Sequence, residues 1–482
     1  MTVRFPRKHH LLLALAIATA LLVCPCAQAL AQDGLAAGST DVTTAETTSK
    51  GANLVAAQNL FKVQDQCILV ASTPSAIEEQ LATAGGRASA AAPWIVYAPA
   101  GTYAMPKKLV VPKNVIFVAE ASSSFYPTTS SNFTQFFWVY GSLYGGTYDG
   151  KNMAYYGLRF GSATFSDATN GSIRNADVKN AQVYGIVAMG TGTKNAKVDN
   201  CRVTGITGIQ DSKTKKWKGG SAISAAGGAR IYSVTNCTAS ACKQSGINLS
   251  HADIDIISGN TLKNNQGHGI STDIAGDGQN HCYMKTVTSN TIESNGVNGV
   301  YIDKNCCISS TFAKNTVSNN KLNGLSIAAN GVVKGIANNK FNGNGRNKVV
   351  KNRATNLRVA GSKAVAYIGS GNTFTRAGNN NITIDNRAVV YLSGSNNYIT
   401  SATNNGISLK SRGSLIVKSG KKNRVTGNGG FGIRIEKRCT CKISNFVFGK
   451  NKTGAVKAYA GCTFTHKKCG LSTKRGAKNR IT

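Results

Sequence analysis

The sequence predicts an all-β chain that folds as a right-handed parallel β-helix, with turns of about 25 residues and a short capping helix near the N-terminus. Two series of short motifs recur along the chain with the same period, and one stretch near the N-terminus has a helical pattern. The 482 residues include 52 Gly but only 8 Pro. Frequent Gly and Asn with little Pro are typical of a regular architecture with many tight turns.

The first repeat series is a Gly or Asn followed by alternating apolar residues. Its members are Gly246, Gly269, Gly299, Gly324, Asn356, Asn381, Gly406 and Gly432. Alternate side chains of a strand point to opposite faces, so we expect the apolar residues to face a core. The second and fourth residues after each Gly or Asn then form two outward columns, one residue per turn.

The second series consists of asparagines that each precede a short apolar run. Its members are Asn236, Asn260, Asn290, Asn315, Asn339, Asn372, Asn397, Asn423 and Asn445. Asn tolerates left-handed backbone, and stacked Asn amides form hydrogen-bonded ladders. The frame of leucine-rich repeats is missing, and propeller blades are longer. The sequence therefore predicts stacked strands about 4.8 Å apart.

The predicted β-helix needs a cap, because its first strand has an open pairing edge. The stretch from Pro74 to Ala84 is amphipathic, carries acids near its start and suits that role. We expect a signal peptide at 1–31, a flexible linker at 32–66, the cap and first strands at 67–135, β-helix repeats at 136–465 and a basic tail at 466–482.

The predicted signal peptide has a basic start at Arg4, Arg7 and Lys8, an apolar run from Leu11 to Val23, and small residues around Ala29. Its apolar run is too short to span a bilayer comfortably, although an uncleaved anchor is the alternative. We expect a secreted, extracellular protein with no membrane span after cleavage. Eleven cysteines then remain. Cys282 and Cys307 each lie eight residues before an asparagine of the second series, Asn290 and Asn315, so they are expected to stack, either bonded or as reduced thiols.

The charge is concentrated in the C-terminal part. The net charge is +36, and the residues from Lys304 onward hold 32 Lys and Arg against two acids, Asp385 and Glu436. Such a surface attracts polyanions, although a generically basic surface is the alternative. Export and the lack of interleaved aromatic and basic residues argue against specific nucleic-acid binding. The expected partners are an anionic polysaccharide or a cell-wall polyanion, which would retain the protein on the cell surface.

The outward columns predict one local constellation. Asp273 and Asp303 should be neighbours on adjacent turns, with Tyr301, His251 and Lys304 beside them. Two carboxylates about 5 Å apart repel each other, so one becomes protonated or a cation lies between them. The alternative is that these residues are ordinary charged decoration of strand ends.

Two further stretches resemble the pectate-lyase-like β-helix superfamily. Residues Trp94 to Glu120 (WIVYAPAGTYAMPKKLVVPKNVIFVAE) resemble its opening strands, and Gly145 to Gly150 (GGTYDG) resembles a turn that often follows. The superfamily includes polysaccharide lyases, uronate epimerases, glycoside hydrolases, phage tailspikes and noncatalytic surface proteins. Fold alone does not choose among these functions.

The resemblance implies roles for the outward residues. Lyases of the superfamily hold Ca²⁺ on acids of this kind of face, here Asp273, Asp303 and, from the loop after Asp273, Asp277. The base that removes the proton would be Lys304, Tyr301 or His251, and Arg358 would bind a substrate carboxylate. Further substrate contacts are expected from the rest of the column and the loop, at Asn248, Ser271 and His281.

The leading functional prediction is therefore a β-eliminating lyase that acts on a uronate-containing polysaccharide. The alternative from another class is a noncatalytic surface protein or adhesin that binds acidic glycans. A minor alternative is a glycoside hydrolase, since Gly267-His268-Gly269 resembles a motif of polygalacturonases. The Asp-Asp pair and the Arg-Ile-Lys motif of those enzymes are missing, and so is the Asp-Pro-His motif of alginate epimerases.

Overall fold

The computed structural model describes residues 51–129, 135–161, 170–273, 281–346, 354–472 and 481. The predicted signal peptide, the first part of the predicted linker and the candidate ligand Asp277 lie outside these residues. Among the described helices, neither is long and apolar enough to cross a bilayer.

The described residues form a right-handed parallel β-helix of about 15 turns, as predicted. Each complete turn contributes one strand to each of three parallel sheets, and each strand pairs with the equivalent strand of the next turn. A separate two-stranded antiparallel hairpin, Ile209–Gln210 with Trp217–Lys218, projects from one corner.

The sheets are numbered by the order in which the chain first enters them. Sheet 1 contains Ile68–Val70, Trp94–Ala98, Val115–Ala119, Ser142–Tyr144, Ser172–Arg174, Ala196–Asp199, Arg230–Thr235, Asp253–Ser258, Tyr283–Thr288, Cys307–Ala313, Val332–Ala337, Val365–Ile368, Val389–Leu392, Ser414–Val417, Thr440–Ser444 and Thr463–Lys467. Sheet 2 contains Thr102–Met105, Ser124–Pro127, Thr147–Asp149, Asp177–Lys179, Arg202–Thr204, Thr238–Ser240, Thr261–Lys263, Thr291–Glu293, Thr316–Ser318, Lys340–Asn342, Thr373–Thr375, Tyr398–Thr400, Asn423–Thr426 and Phe446–Phe448. Sheet 3 contains Leu109–Val111, Gln135–Val139, Tyr156–Phe160, Tyr184–Met189, Ser221–Ala226, Ile247–Ser250, Ile270–Asp273, Val300–Ile302, Leu325–Ile327, Leu357–Ala360, Ile382–Asp385, Ile407–Leu409, Phe431–Ile435 and Gly454–Ala458.

Two helices and a short 3-10 helix, Asp65–Cys67, precede or cap the first turns. Helix α2, Pro74–Arg87, is the predicted capping helix and extends three residues further than predicted. The Thr73 hydroxyl accepts a hydrogen bond from the Ala76 N–H at 3.2 Å, and Pro occupies the first turn. Ile77 and Leu81 are buried, which joins the cap to the β-helix core.

Helix α1, Ala52–Phe61, corrects the prediction of a flexible linker over 32–66 for its final part. The Glu120 carboxylate accepts hydrogen bonds from the Asn53 and Leu54 N–H groups at the start of α1, at 3.1 and 3.2 Å. An acid at a helix N-terminus stabilises unpaired N–H groups there. The partner is 66 residues away in the sequence, which explains why composition alone indicated a linker.

Asparagine ladders hold the corners of the later turns. Asn290 Nδ2 donates to Asn315 Oδ1 at 3.0 Å, and the Asn290 N–H donates to the same oxygen. Equivalent amide contacts of 2.9–3.1 Å connect every step from Asn260 to Asn423. The outer members of the predicted series differ, because Asn236 and Asn445 have φ of 55° and occupy left-handed corner positions instead.

The early turns are held by aromatic side chains. The rings of Phe117, Phe125, Phe137 and Tyr148 are buried and lie 4.9–5.6 Å from their nearest neighbours in this group. Ring pairs at such distances contribute about 0.5–1.5 kcal/mol beyond the area that they bury. Aromatic packing therefore stabilises the stacking of the early turns, as the buried asparagine amides stabilise the stacking of the later ones.

One cysteine prediction is wrong by one residue. Tyr283 pairs with Cys307, so Cys282 adjoins Cys306 and not Cys307, and the Cys307 N–H donates to the Cys282 carbonyl. The cause is a register shift between these strands, at Met284 and Thr286. An irregularity of this kind invalidates a count of residues back from the asparagine series. The ten described cysteines from Cys201 to Cys469 are free thiols.

The register of sheet 3 confirms the predicted outward column that is formed by the second residue after each Gly or Asn of the repeat. The in-register series is Asn248, Ser271, Tyr301, Ser326, Arg358, Thr383, Ser408 and Arg434. Because each of these residues belongs to a different turn, this column sets the positions of the polar groups along one face of the β-helix.

Candidate functional site

A polar cavity of about 250 Å³ lies on the outward face of sheet 3. Its walls come from equivalent positions of successive turns. The position three residues before the outward column supplies Ser221, Ser245 and His268. The outward column itself supplies Asn248, Ser271 and Tyr301, and the strand ends supply Asp273 and Asp303. Tyr184, Trp217, Gly219, Gln244 and Thr272 complete it.

The two predicted aspartates do line this cavity together. Ser271 is in register with Tyr301, and Asp273 and Asp303 follow them by two residues on neighbouring turns. The Thr272 hydroxyl accepts a hydrogen bond from the Asp303 N–H at 2.7 Å, which fixes the backbone where the second strand has ended. The repeat thus places two carboxyl groups one strand spacing apart, roughly 5 Å.

Tyr301 is a hydrogen-bond donor in this arrangement. Its hydroxyl donates to Asp303 Oδ1 at 3.0 Å. Burial raises the pKa of Tyr301 to about 12, and the negative charge of Asp303 acts in the same direction. Tyr301 therefore keeps its proton at neutral pH, so it fits the role of a proton-holding positioning group better than the role of a base.

Asp273 carries the perturbed carboxyl group. Loss of hydration raises the pKa of Asp273, the charge of Asp303 raises it further, and His251 acts in the opposite direction. The Asp273 side chain still reaches solvent at the rim, so its hydration is reduced and not eliminated. A carboxyl group that holds its proton to higher pH than usual is suited to donating that proton.

His268 forms a wall of the cavity beside Tyr301. The two rings are stacked, with their centroids 5.2 Å apart. The His268 Nδ1 atom accepts a hydrogen bond from the Asn298 N–H at 3.3 Å, which assigns the ring proton to Nε2. Burial lowers the pKa of His268 to about 4. His268 is therefore a neutral imidazole over the physiological pH range and presents an apolar face to Tyr301.

The floor of the cavity is a short hydrogen-bonded chain of polar side chains. Ser271 Oγ lies 2.8 Å from Ser245 Oγ and 2.8 Å from Asn248 Oδ1. Ser245 and Ser271 are buried. These contacts hold the Asn248 Oδ1 atom and so orient the amide at the outward side of the sheet, where its Nδ2 group can donate to a sugar hydroxyl.

Trp217 forms part of the rim. It belongs to the antiparallel hairpin and is 39% exposed, although it lines the cavity. The Lys243 Nζ atom lies 3.9 Å from the centre of one of its rings, a cation–π contact that steadies the indole. An exposed aromatic ring at the mouth of a polar cavity offers a flat apolar surface to the face of a sugar ring.

The other predicted site residues lie elsewhere. Lys304 is exposed and does not line the cavity. Arg358 belongs to the same column as Tyr301 but is two turns further along. His251 and His281 line a separate cavity of about 190 Å³ together with Asp253. Asp277 is outside the described residues.

Sequence reasoning missed the role of His268 and Trp217. His268 occupies the repeat position shared by Ser245, Asn298 and Asn323, so the repeat accounts for its place in the strand but not for its place in a cavity wall. Trp217 had an available signal: Asn200 and Asn236 are 36 residues apart, where the repeat predicts about 25. An insertion of this length next to an outward column indicates a loop over that face.

The predicted metal ligands form an incomplete set. Within the described residues, no three His, Cys, Asp or Glu side chains come together as metal ligands. Asp273 and Asp303 are two carboxylates beside neutral oxygens, whereas Ca²⁺ takes six to eight oxygen ligands. The donor chemistry fits Ca²⁺ only if the substrate and water supply several of the ligands.

Comparisons with known proteins agree with the fold. Residues 162–345 match the family model described as the right handed beta helix region. No curated protein sequence matches the chain. Among solved structures, the catalytic unit of a GH87 alpha-1,3-glucanase from Streptomyces thermodiastaticus is 14% identical, with a TM-score of 0.42, and covers 84% of this chain and 68% of that one.

Two further solved structures are similar at the same level. The A-module of the mannuronan C-5 epimerase AlgE6 from Azotobacter vinelandii is 14% identical, with a TM-score of 0.38, and covers 88% of this chain and 97% of that one. A DFA-IIIase from Arthrobacter chlorophenolicus is 12% identical, with a TM-score of 0.38, and covers 84% and 99%. Similarity at this level says nothing about the chemistry of the cavity. The chain is a right-handed parallel β-helix protein.

Proposed function

We propose that the protein binds an anionic polysaccharide along sheet 3 and cleaves it in the cavity that contains Asp273 and Asp303. The observation that carries this proposal is the meeting of two carboxyl groups from adjacent turns with a polar floor and an exposed Trp217. Cleavage of a glycosidic bond needs two carboxyl groups in different protonation states, and the environment of Asp273 favours such a division.

In this mechanism Asp273 is the acid. Its raised pKa makes the protonated form more favourable than in an ordinary aspartate, which suits Asp273 to donate a proton to the leaving oxygen of the glycosidic bond. Asp303, roughly 5 Å away, is the nucleophile: its carboxylate bonds to the anomeric carbon as the leaving oxygen takes the proton from Asp273. Water then displaces Asp303 from that carbon and returns a proton to Asp273. The Tyr301 hydroxyl holds Asp303 Oδ1 in place. The serine and asparagine side chains on the floor bind sugar hydroxyls, and Trp217 packs against a sugar face.

β-Elimination is the second candidate reaction, and the crowding of two carboxylates favours it. The like charges would be relieved by Ca²⁺, which would also neutralise a uronate carboxylate of the substrate. This reaction needs a base near the cavity. Tyr301 keeps its proton, Lys304 is outside the lining and His251 faces the neighbouring cavity, so hydrolysis is the better supported of the two reactions.

The test is an assay of the full-length protein on polygalacturonate, alginate, hyaluronan and chondroitin sulfate, with dextran as a neutral control. Hydrolysis would release reducing ends without ultraviolet absorbance, whereas β-elimination would release both. Chelator should leave hydrolysis unchanged and abolish a Ca²⁺-dependent elimination. Cleavage should disappear in Asp273→Asn.

Absence of new reducing ends on all four acidic polymers would contradict a cleaving enzyme. Retained, salt-sensitive binding in the same experiment would favour the noncatalytic alternative, a surface protein that binds acidic glycans. Secretion is tested separately, by N-terminal sequencing of the protein from the culture medium, where cleavage near Ala29 or Ala31 is expected.

A further inference from the structure

A second cavity of about 220 Å³ lies on the same face of sheet 3, nearer the C-terminus. It uses the same repeat positions as the first cavity, on later turns. Its principal walls are Asn380 and Asn405, Ser408 and Arg434, and Lys410 and Glu436. Five strand spacings separate Ser271 from Ser408, so the two cavities are roughly 24 Å apart along the β-helix.

Two groups at the second cavity have unused hydrogen-bonding capacity. Ser408 is 1% exposed, and its hydroxyl has no hydrogen-bond partner within the described part of the chain. The Nε atom of Arg434 is likewise unpaired there. Buried polar groups are nearly always paired in folded proteins, so an unpaired hydroxyl at the wall of a cavity indicates a position where a ligand or water completes the bonding.

The Arg434 guanidinium is held in position by its neighbours. Its Cζ atom lies 5.3 Å from the centre of the Tyr459 ring, and its Nη2 atom lies 3.7 Å from Glu436 Oε1. The pair is too long for a strong, closed ion pair, so the planar fork of donors is not saturated by Glu436. Such a fork binds a carboxylate through two parallel hydrogen bonds.

The cavity is positively charged and lies beside a ridge of cations. Lys410 and Arg434 against Glu436 give a balance of +1 for its walls. At the corner between sheets 3 and 1, four successive turns carry exposed cations at one equivalent position, namely Lys363, Arg387, Arg412 and Arg438. Like charges stacked on successive turns raise the local positive potential and attract polyanions.

We infer that the second cavity binds one uronate residue of a polysaccharide, at a site distinct from the proposed cleavage site. Arg434 binds the carboxylate, Lys410 adds attraction, and Glu436, Ser408 and the asparagine amides bind ring hydroxyls. The volume is below the roughly 300 Å³ of sites that enclose a drug-sized ligand, which suits a single sugar residue. The inference rests on the proposed function only in taking a polysaccharide as the ligand.

The experiment is titration calorimetry of trigalacturonate into the full-length Asp303→Asn protein, which should bind without cleaving. Two binding equivalents are expected. Adding Arg434→Gln should remove one equivalent, or weaken it at least tenfold, and adding Lys410→Gln should weaken it about threefold. The matched control is Lys442→Gln, an exposed lysine on sheet 1 with the same change in charge, which should change the affinity less than twofold.

Identical isotherms for the Arg434→Gln, Lys410→Gln and Lys442→Gln proteins would overturn the inference. Equal binding of maltotriose would overturn the requirement for a carboxylate. Tighter binding of a carrageenan oligosaccharide, which carries sulfate groups but no uronate, would overturn the assignment to a uronate. If the wild-type protein cleaves none of the polymers but the Arg434-dependent equivalent remains, the proposed function fails and the second site stands. If cleavage occurs and Arg434→Gln binds like the control, only the second site fails.

Discussion

The two cavities of sheet 3 are built from the same positions of the repeat but differ in charge. Where the first has Asp273 and Asp303 at the strand ends, the second has Lys410 and Glu436; where the first has Tyr301 in the outward column, the second has Arg434. The backbone of one turn is nearly that of the next. The comparison shows that the repeat provides equivalent outward positions and that the side chains at these positions set the charge of each cavity.

The largest expected effect comes from the acidic cavity. Asp303→Asn keeps the shape of the side chain and the contact with Tyr301 but removes the charge, so cleavage should fall by roughly 10²–10⁴-fold, the usual range for a catalytic acid or base. Initial rates of reducing-end release measure it. The control is Asp385→Asn, the same change at the equivalent strand end three turns later, which should leave the rate within twofold. Equal losses in both variants would contradict a special role for the first cavity.

A smaller effect on cleavage is expected from Trp217 at the rim of the first cavity. Within the described part of the chain, the residues that line the second cavity include no aromatic side chain. Trp217→Ala removes the aromatic surface without touching the carboxyl groups, so KM should rise about fivefold, as for a contact of roughly 1 kcal/mol, while kcat stays nearly constant. Steady-state kinetics separate the two constants. The control is Tyr232→Ala, which removes an exposed aromatic side chain from sheet 1 and should leave KM unchanged. Trp94 is buried, so its replacement would disturb the core. A fall in kcat alone would place Trp217 in the chemistry.

The affinity for trigalacturonate should depend on salt concentration more strongly at the second cavity than at the first. Exposed cations are screened over a Debye length of about 8 Å at 0.15 M ionic strength, so trigalacturonate binding at the Arg434 cavity should weaken several-fold between 0.05 and 0.3 M NaCl. Affinity for the equivalent that survives in Arg434→Gln should weaken less, because the described residues that line the first cavity include no Lys or Arg. Parallel salt dependence of both equivalents would mean that the ridge of cations acts on both cavities alike.

The smallest expected effect is on stability. The folded protein raises the pKa of Asp273 above the unfolded value of about 3.9, so the ionised carboxylate is less favourable in the folded state at neutral pH. Asp273→Asn should therefore raise Tm at pH 7 by on the order of 1 °C, and the gain should vanish below about pH 4, where both states are protonated. Thermal melts at the two pH values measure it. A lower Tm in the variant at pH 7 would mean that Asp273 forms stabilising contacts instead.

The fold and the main column of the site were predictable because they depend on the repeat. A period of two within strands and about 25 between them was enough to align Ser271 with Tyr301, and hence to bring Asp273 and Asp303 together. Residues outside the period were not predictable in this way. Trp217 reaches the cavity from an inserted hairpin, and α1 is held by Glu120 across 66 residues, so both depend on contacts that no local pattern encodes.

Errors of a single residue had an equally physical origin. Counting back from an asparagine gave Cys307 as the neighbour of Cys282, but a strand irregularity shifts the register and makes Cys306 the neighbour. The same limit applies to His251, which ends its strand in left-handed backbone with φ of 50° and so turns toward Asp253 and His281. Periodicity locates residues inside strands well and residues at corners poorly.

The asparagine ladder makes the distance between neighbouring turns independent of the number of residues between them. Asn290 and Asn315 are 25 residues apart, Asn260 and Asn290 are 30 apart, and Asn339 and Asn372 are 33 apart, yet the amide contacts are 3.0, 2.9 and 3.0 Å. The corner amides re-establish the same step whatever length of chain lies between them. New loops can therefore be added beside the outward face of sheet 3 without disturbing the stack, so that evolution can vary what this surface recognises while the coil beneath it stays unchanged.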